Sequence, residues 1–372
     1  VTRPGTDETD LKRAILRDYL DRNKLDAVVL SSQAYFAWYT AGRSNRVAMC
    51  TDGGAAHLFA TGRDGEDAII TSNIEEPRIR DEETPASVGF RVEGFPWWED
   101  SKIIDRIKEL SSGKKVAAEA GTAGLPLLPA DFVSLTYSLT VPEIKRYKAL
   151  GKDASVAVET AARRVEPGMS ETRIAADIAF EFIARDIIPQ VILVAADDRI
   201  LRYRHPLPTN NPVNQYAMLV ACAKRGGLIA SLTRFVHLGP LSKELAAKQA
   251  AVTTIDAALI SATVEGRPLK EVFQVGADTY EEVGFPDEWH LHHQGGPTGY
   301  QSRSYKGTPT AKEKVLTNQA FAWNPSITGV KSEDTIIVSD GKQEIITPVD
   351  DWPVIEQKVA GKTIPRPDIL IL

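Results

Sequence analysis

Apolar positions along the chain switch between two periods, and the switches lay out the elements. Leu11, Ile15, Leu16, Tyr19 and Leu20 recur at helical spacing, and the run Asp26-Ala27-Val28-Val29-Leu30-Ser31-Ser32 after them predicts a buried strand. Apolar runs at 47–50 and 55–60 flank Thr51-Asp52-Gly53-Gly54, whose turn residues predict a hairpin, and 67–70 adds another strand. A helix over 101–110 and a strand over 115–119 close a first, mixed α/β region that ends before Thr140.

Thr140-Val141-Pro142-Glu143 carries the signals that open a helix: a capping Thr, a Glu three residues later and a proline in the first turn. Ile144, Tyr147, Leu150, Ala154 and Val158 supply the apolar face of the long helix that follows. Glu166-Pro167-Gly168-Met169-Ser170 breaks it, and 171–184 begins a second amphipathic helix. A strand hairpin over 216–236 turns at Lys224-Arg225-Gly226-Gly227, and 242–264 and 269–283 read as helices. Strands over 315–323, 334–339 and 343–347 end the pattern, the last two joined by the hairpin turn Asp340-Gly341. These signals predict an α+β chain of two domains, 1–138 and 139–372, without short-period repeats or low-complexity segments.

Composition narrows the function classes. The 372 residues are 43% hydrophobic and 25% charged, as in globular proteins, and the net charge of -6 argues against a nucleic-acid binder, which needs a basic face to displace counterions. No apolar run is long enough to span a bilayer, and the start Val1-Thr2-Arg3-Pro4-Gly5-Thr6-Asp7 has no signal-peptide core, so a cytoplasmic location and no membrane partner are expected. Two cysteines far apart in sequence, Cys50 and Cys222, make neither a disulfide framework nor a thiolate zinc site; both read as buried free thiols.

Chemistry concentrates in His290-Leu291-His292-His293-Gln294-Gly295-Gly296-Pro297-Thr298-Gly299-Tyr300, which holds three of the six histidines ahead of glycines that admit a substrate or another strand close to the backbone. By residue type alone this stretch fits a metal site, an acid/base site or a packed polar core. Arg199, Arg202 and Arg204, with Arg225 and Arg234 further on, either clamp an anionic group such as a carboxylate or form structural ion pairs. Trp97-Trp98 reads as a loop covering a pocket or as ordinary packing.

The order of these signals resembles the pita-bread family that includes creatinase, prolidase, aminopeptidase P and methionine aminopeptidase, over nearly the whole chain. The resemblance rests on Thr140-Val141-Pro142-Glu143-Ile144-Lys145, Glu166-Pro167-Gly168-Met169-Ser170-Glu171, His205-Pro206-Leu207-Pro208-Thr209, the hairpin ending Ser231-Leu232-Thr233-Arg234-Phe235, His293-Gln294-Gly295-Gly296, Asn324-Pro325-Ser326 and Gly329-Val330-Lys331-Ser332-Glu333-Asp334-Thr335. It implies a creatinase/prolidase-like N-terminal domain followed by a C-terminal pita-bread domain. Peptidases of the family hold two metal ions on two aspartates, a histidine and two glutamates. The matching positions here are Val220, Ser231, His293, Asn324 and Glu333, so only His293 and Glu333 keep the residue type. An alkyl group, a hydroxyl and an amide replace carboxylates poorly, so no dinuclear site, no metal and no cofactor are expected; a single ion on His293, Glu333 and a neighbour such as His292 is the alternative.

Creatinase is the family's precedent for catalysis without metals, cleaving a C–N bond of a small guanidino compound with a histidine as acid/base. The resemblance places His205 in that role, with His293 and Glu333 as its polar partners and Glu333 favouring the protonated imidazole. Creatinase's substrate-holding glutamates match Thr233 and Ser332, which argues against creatine itself. Arg202, Arg204, Thr233, Tyr300, Asn324 and Ser332 complete the expected substrate-binding set, with His290 and His292 structural. A metal-independent hydrolase of a small polar, carboxylate-bearing molecule is the leading expectation. A non-catalytic ligand- or protein-binding protein and an Xaa-Pro peptidase with an atypical metal site are the alternatives. A homodimer is implied by the resemblance alone.

Overall fold

A computed structural model describes residues 6–348 and 350–372. Residues 1–5, part of the segment expected to lack a signal-peptide core, and Val349 lie outside the described residues. The chain divides into two compact units. The first is the chain up to Thr136 with Thr140–Glu143 and Gly226–Leu228; the second is Tyr137–Leu139, Ile144–Arg225 and Ile229–Leu372. Among the described residues no helix is long and apolar enough to cross a membrane.

In the first unit a five-stranded sheet runs in the order Arg91–Phe95, Ala68–Ser72, Gly53–Ala60, Ala27–Ser32, Val116–Ala118. Its apolar face, with Val29, Phe59, Ile70 and Val116, packs under Ile107 of the helix Asp100–Ser111. The expected hairpin does not form, because 47–50 is not a strand. Gln33 Nε2 instead donates to the carbonyls of Ala48 (3.1 Å) and Thr51 (2.8 Å), Val47 and Met49 stay exposed, and Gly53–Ala60 pairs with Ala27–Ser32 and Ala68–Ser72. Cys50, expected to be buried, is exposed with them.

The helix Val141–Ala162, counted with the second unit from Ile144 onward, opens as its sequence predicts. Glu143 Oε2 accepts from the Thr140 backbone N–H at 2.7 Å and Glu143 N–H donates to Thr140 Oγ1 at 3.4 Å, a reciprocal capping box. The helices Glu171–Ile183, Lys243–Ala262 and Leu269–Glu282 follow within about two residues of expectation. They accompany two four-stranded sheets. One contains Ile188–Ala196, Tyr216–Arg225, Leu228–His237 and Ile369–Ile371; the other contains Gly295–Thr298, Gln319–Trp323, Asp334–Ser339 and Lys342–Ile345. Asp340 and Gly341 both take positive φ, 51° and 70°, as the hairpin turn requires. The glycines after His293 serve strand packing. A Cβ on Gly295 would lie 2.2 Å from the Ala322 carbonyl oxygen, and one on Gly296 would lie 2.5 Å from that of Tyr305, so only glycine lets this strand nest against its neighbours.

Candidate active site

His205 follows the short helix Asp198–Arg202, and its ring is exposed. His292 and His293 lie between the turn Glu288–Leu291 and the strand Gly295–Thr298. Buried Gln294 holds this corner: its Nε2 donates to the His292 and Trp289 carbonyls at 2.6 and 3.2 Å, while its Oε1 accepts from Tyr280 Oη at 2.9 Å. The fold thereby brings three imidazoles together. His205 Nε2 and His292 Nε2 are 3.1 Å apart, and the ring centroid of His205 is 5.9 Å from that of His293. His292, read from the sequence as structural, therefore belongs to the cluster. His290 points elsewhere and stacks on Trp289 at 3.7 Å.

Glu333 is buried just before the strand Asp334–Ser339. Its Oε2 accepts from Thr233 Oγ1 at 2.8 Å and pairs with Lys331 Nζ at 2.8 Å, while Arg303 lies 3.8 Å from Oε1. Burial pushes the Glu333 carboxyl up, but Lys331 and Arg303 more than offset it and hold the group below the usual glutamate range. Lys331, only 6% exposed, sits in the two-stranded ribbon of Ser326–Ile327 and Val330–Lys331. With Tyr203, Arg204, Met218 and His292 it lines a pocket with room for about one water. A wider, open cleft runs along Trp289, His292, His293, Lys306 and Gly307.

Burial, reinforced by these cations, sets the state of the histidines. Burial, then Lys331, lowers His205 despite the opposing effect of Glu333; burial and Lys331 hold His292 at about 2, and burial, Arg303 and Lys331 hold His293 at about 4. All three rings are shifted toward the neutral form. Glu333 does favour the protonated His205, as expected, but burial first and then Lys331, with Arg303 and Lys306, outweigh it.

The remaining candidates separate. Thr233 touches Glu333, and Asn324, 2% exposed, has an Oδ1 with no hydrogen-bond partner among the described residues. Tyr300 is buried, its hydroxyl accepting from Arg146 Nη2 at 3.3 Å. Ser332 turns to Asp256 Oδ2 at 2.5 Å. The arginines are engaged in ion pairs: Arg202 with Asp198 at 3.2 Å, Arg204 with Glu288 at 2.7 Å, Arg225 with Asp153 at 2.7 Å, Arg199 with Glu171, and Arg234 with Glu159 and Asp334. Lys331 and Arg303, which face Glu333 instead, were not singled out from the sequence. At two of the positions that the resemblance matched to metal ligands, Val220 packs with Leu193, Met218 and Phe235, and Ser231 Oγ lies 3.3 Å from Cys222 Sγ.

A model of metallopeptidase family M24 matches residues 145–340, more than half of the chain. The chain belongs to metallopeptidase family M24. This M24 protein is 27% identical over 124 residues to an uncharacterized peptidase of Staphylococcus aureus (strain MW2), a match spanning 32% of the chain and 35% of that relative. Its fold is similar to that of an Xaa-Pro dipeptidase from Bacillus anthracis (TM-score 0.76, 18% identity, 98% of this chain and 100% of that one). It is also similar to dipeptidase PepE from Mycobacterium ulcerans (0.75, 15%, 99% of each). The N-terminal domain of FACT complex subunit SPT16 from Cicer arietinum shares it too (0.68, 12%, 93% of this chain and 97% of that one). The fold is an N-terminal domain followed by a C-terminal pita-bread domain, as the resemblance implied.

Proposed function

We propose that this M24 protein is a hydrolase working without the paired metal ions its family name implies, cleaving an amide or amidine C–N bond in a small, polar, carboxylate-bearing molecule with His205 as acid/base. The observation that carries the reading is the occupation of Glu333. Two adjacent divalent ions need several anionic donors. Here Val220, Ser231 and Asn324 supply none, and the acceptor oxygens of Glu333 already face Thr233, Lys331 and Arg303. The residues present do not fit a metal pair.

The same residues suit a metal-free route. Lys331 and Arg303 face one carboxylate between them, so the site carries surplus positive charge that an anionic substrate group offsets. This reassigns the anion-receiving role from Arg202 and Arg204. Asn324 Oδ1, buried and unpartnered among the described residues, is an acceptor for an amide or amidine N–H. Neutral His205 takes a proton from the attacking water as the C–O bond forms, then delivers it to the nitrogen as the C–N bond breaks. His293 is its polar neighbour.

A screen of small amides, amidines and Xaa-Pro dipeptides tests the proposal, with His205→Ala expected to abolish turnover of whichever substrate reacts. About two equivalents of tightly held metal in protein purified without chelator or added metal would sink it. A binding protein without catalysis is favoured by one observation: Tyr203, Leu207 and Leu291, which flank His205 and His292 along the chain, are exposed. In that case His205→Ala leaves binding intact. An Xaa-Pro peptidase, the activity in the name of the Bacillus anthracis neighbour, predicts chelator-sensitive cleavage of the dipeptides. A cytoplasmic homodimer completes the proposal; sedimentation at the mass of one 40.7 kDa chain contradicts the pairing.

A further inference from the structure

One ring nitrogen from each of His205, His292 and His293 lies within 4.8 Å of the other two, and His205 Nε2 faces His292 Nε2 at 3.1 Å. A neutral imidazole carries one N–H and one lone pair, so one hydrogen satisfies that facing pair. His293 Nδ1 is buried without a hydrogen-bond partner among the described residues, and so is His292 Nδ1, on the far side of the ring from the Nε2 that faces His205 and would be the atom offered to an ion. The cluster thus holds buried nitrogen donor and acceptor capacity that the protein leaves unused, and such groups call for a ligand. A four-coordinate zinc ion about 2.0–2.1 Å from each nitrogen sets neighbouring nitrogens roughly 3.3 Å apart, close to the 3.1 Å between His205 Nε2 and His292 Nε2, and the His293 nitrogen, within 4.8 Å of both, closes the triad by a small ring movement.

We infer that His205, His292 and His293 bind a single zinc-class transition ion, with a fourth position open to solvent beside the exposed His205. Three imidazoles and no carboxylate select zinc, cobalt, nickel or copper over magnesium or calcium, which require oxygen donors. This site shares only His293 with the five positions that the resemblance matched to a metal pair: it uses neither Glu333 nor Val220, Ser231 and Asn324, and it recruits His205 and His292. Lys331 and Arg303 oppose a nearby divalent cation, and Glu333 offsets part of their charge, so binding is weak and reversible. One consequence rests on the hydrolase reading. An ion that takes a lone pair of His205 removes the acid/base group, so zinc silences turnover.

Cobalt(II) added to metal-free protein reads the site without a substrate. About one equivalent per chain is expected to give the ligand-field absorption of a four-coordinate ion, displaced by zinc and unaffected by magnesium. His205→Ala, at an exposed position, and His292→Ala are expected to lose that absorption, whereas His290→Ala keeps it because His290 stacks on Trp289 outside the cluster. Absence of the absorption in the parent protein, or its persistence in both His205→Ala and His292→Ala, overturns the site. Zinc is expected to suppress turnover of the substrate found in the screen, with a chelator restoring it; stimulation by zinc overturns the silencing. A screen without any substrate removes the hydrolase reading while the cobalt result still decides the ion site.

Discussion

At the scale of single residues, two side chains that carry the proposed chemistry have opposite visibility in the sequence. His205 is legible in the sequence because a histidine among prolines in His205-Pro206-Leu207-Pro208 matches a family segment. His205→Ala is expected to lower kcat by about 10²–10⁴-fold, the range for removing a general acid/base, in the turnover assay. Lys331 is not legible, because a lysine in Val330-Lys331-Ser332 reads as a solvated charge. Only its burial and its 2.8 Å contact with Glu333 give it a role. Lys331→Met is expected to raise KM for an anionic substrate about 10–100-fold, the effect of losing one charge-assisted hydrogen bond, and to leave KM for the neutral amide isostere much less changed. Equal effects on both substrates count against Lys331 as the anion receiver. The arginines show the converse: in sequence Arg202 and Arg204 read as a clamp or as ion pairs, and Asp198 and Glu288 stand within reach of them.

At the scale of elements, local signals were sound where they close on themselves. The capping box Thr140/Glu143 needs residues only three apart, and it forms. Thr140→Ala is expected to cost about 1 kcal/mol, measured by denaturant unfolding. The false hairpin at 47–50 failed because its turn signal ignored Gln33, whose amide takes the carbonyls of that segment. Gly295 belongs to this scale as well. Its φ of 102° and the 2.2 Å approach of the Ala322 carbonyl oxygen leave no room for a methyl group, so Gly295→Ala is expected to destabilise by about 2–3 kcal/mol or more and to disturb the loop that carries His293. A melting temperature equal to that of the parent protein excludes this account.

At the scale of the whole molecule, the second unit is tied by a buried ionic network. Arg366 reaches Asp256 (2.8 Å) and Asp334 (2.6 Å), and Asp334 also pairs with Arg234, which reaches Glu159. Burial outweighs Arg366 at Asp256 and pushes its carboxyl up to about 6, above its ordinary 3.8. A folded-state value above the unfolded one makes the Asp256 contribution to stability full below about pH 4 and lost as pH rises toward 6. The stability of the parent protein relative to Asp256→Asn is therefore expected to fall between pH 4 and pH 7, by urea unfolding at the two pH values. No change across that interval contradicts the assignment. The sequence by itself determined the α+β class, most helices, the last hairpin and the family to which the chain belongs, because periodicity, caps and turns act over a few residues. It also supplied His205, His293 and Glu333 as chemically capable groups. Only the tertiary structure decided that His292 joins them, that Lys331 and Arg303 occupy Glu333, and that the sequence's arginines are engaged elsewhere. Charge pairing and hydrogen bonding here join residues 100 or more positions apart, such as Thr233 with Glu333 and Asp256 with Arg366, and no local pattern in the chain encodes that distance.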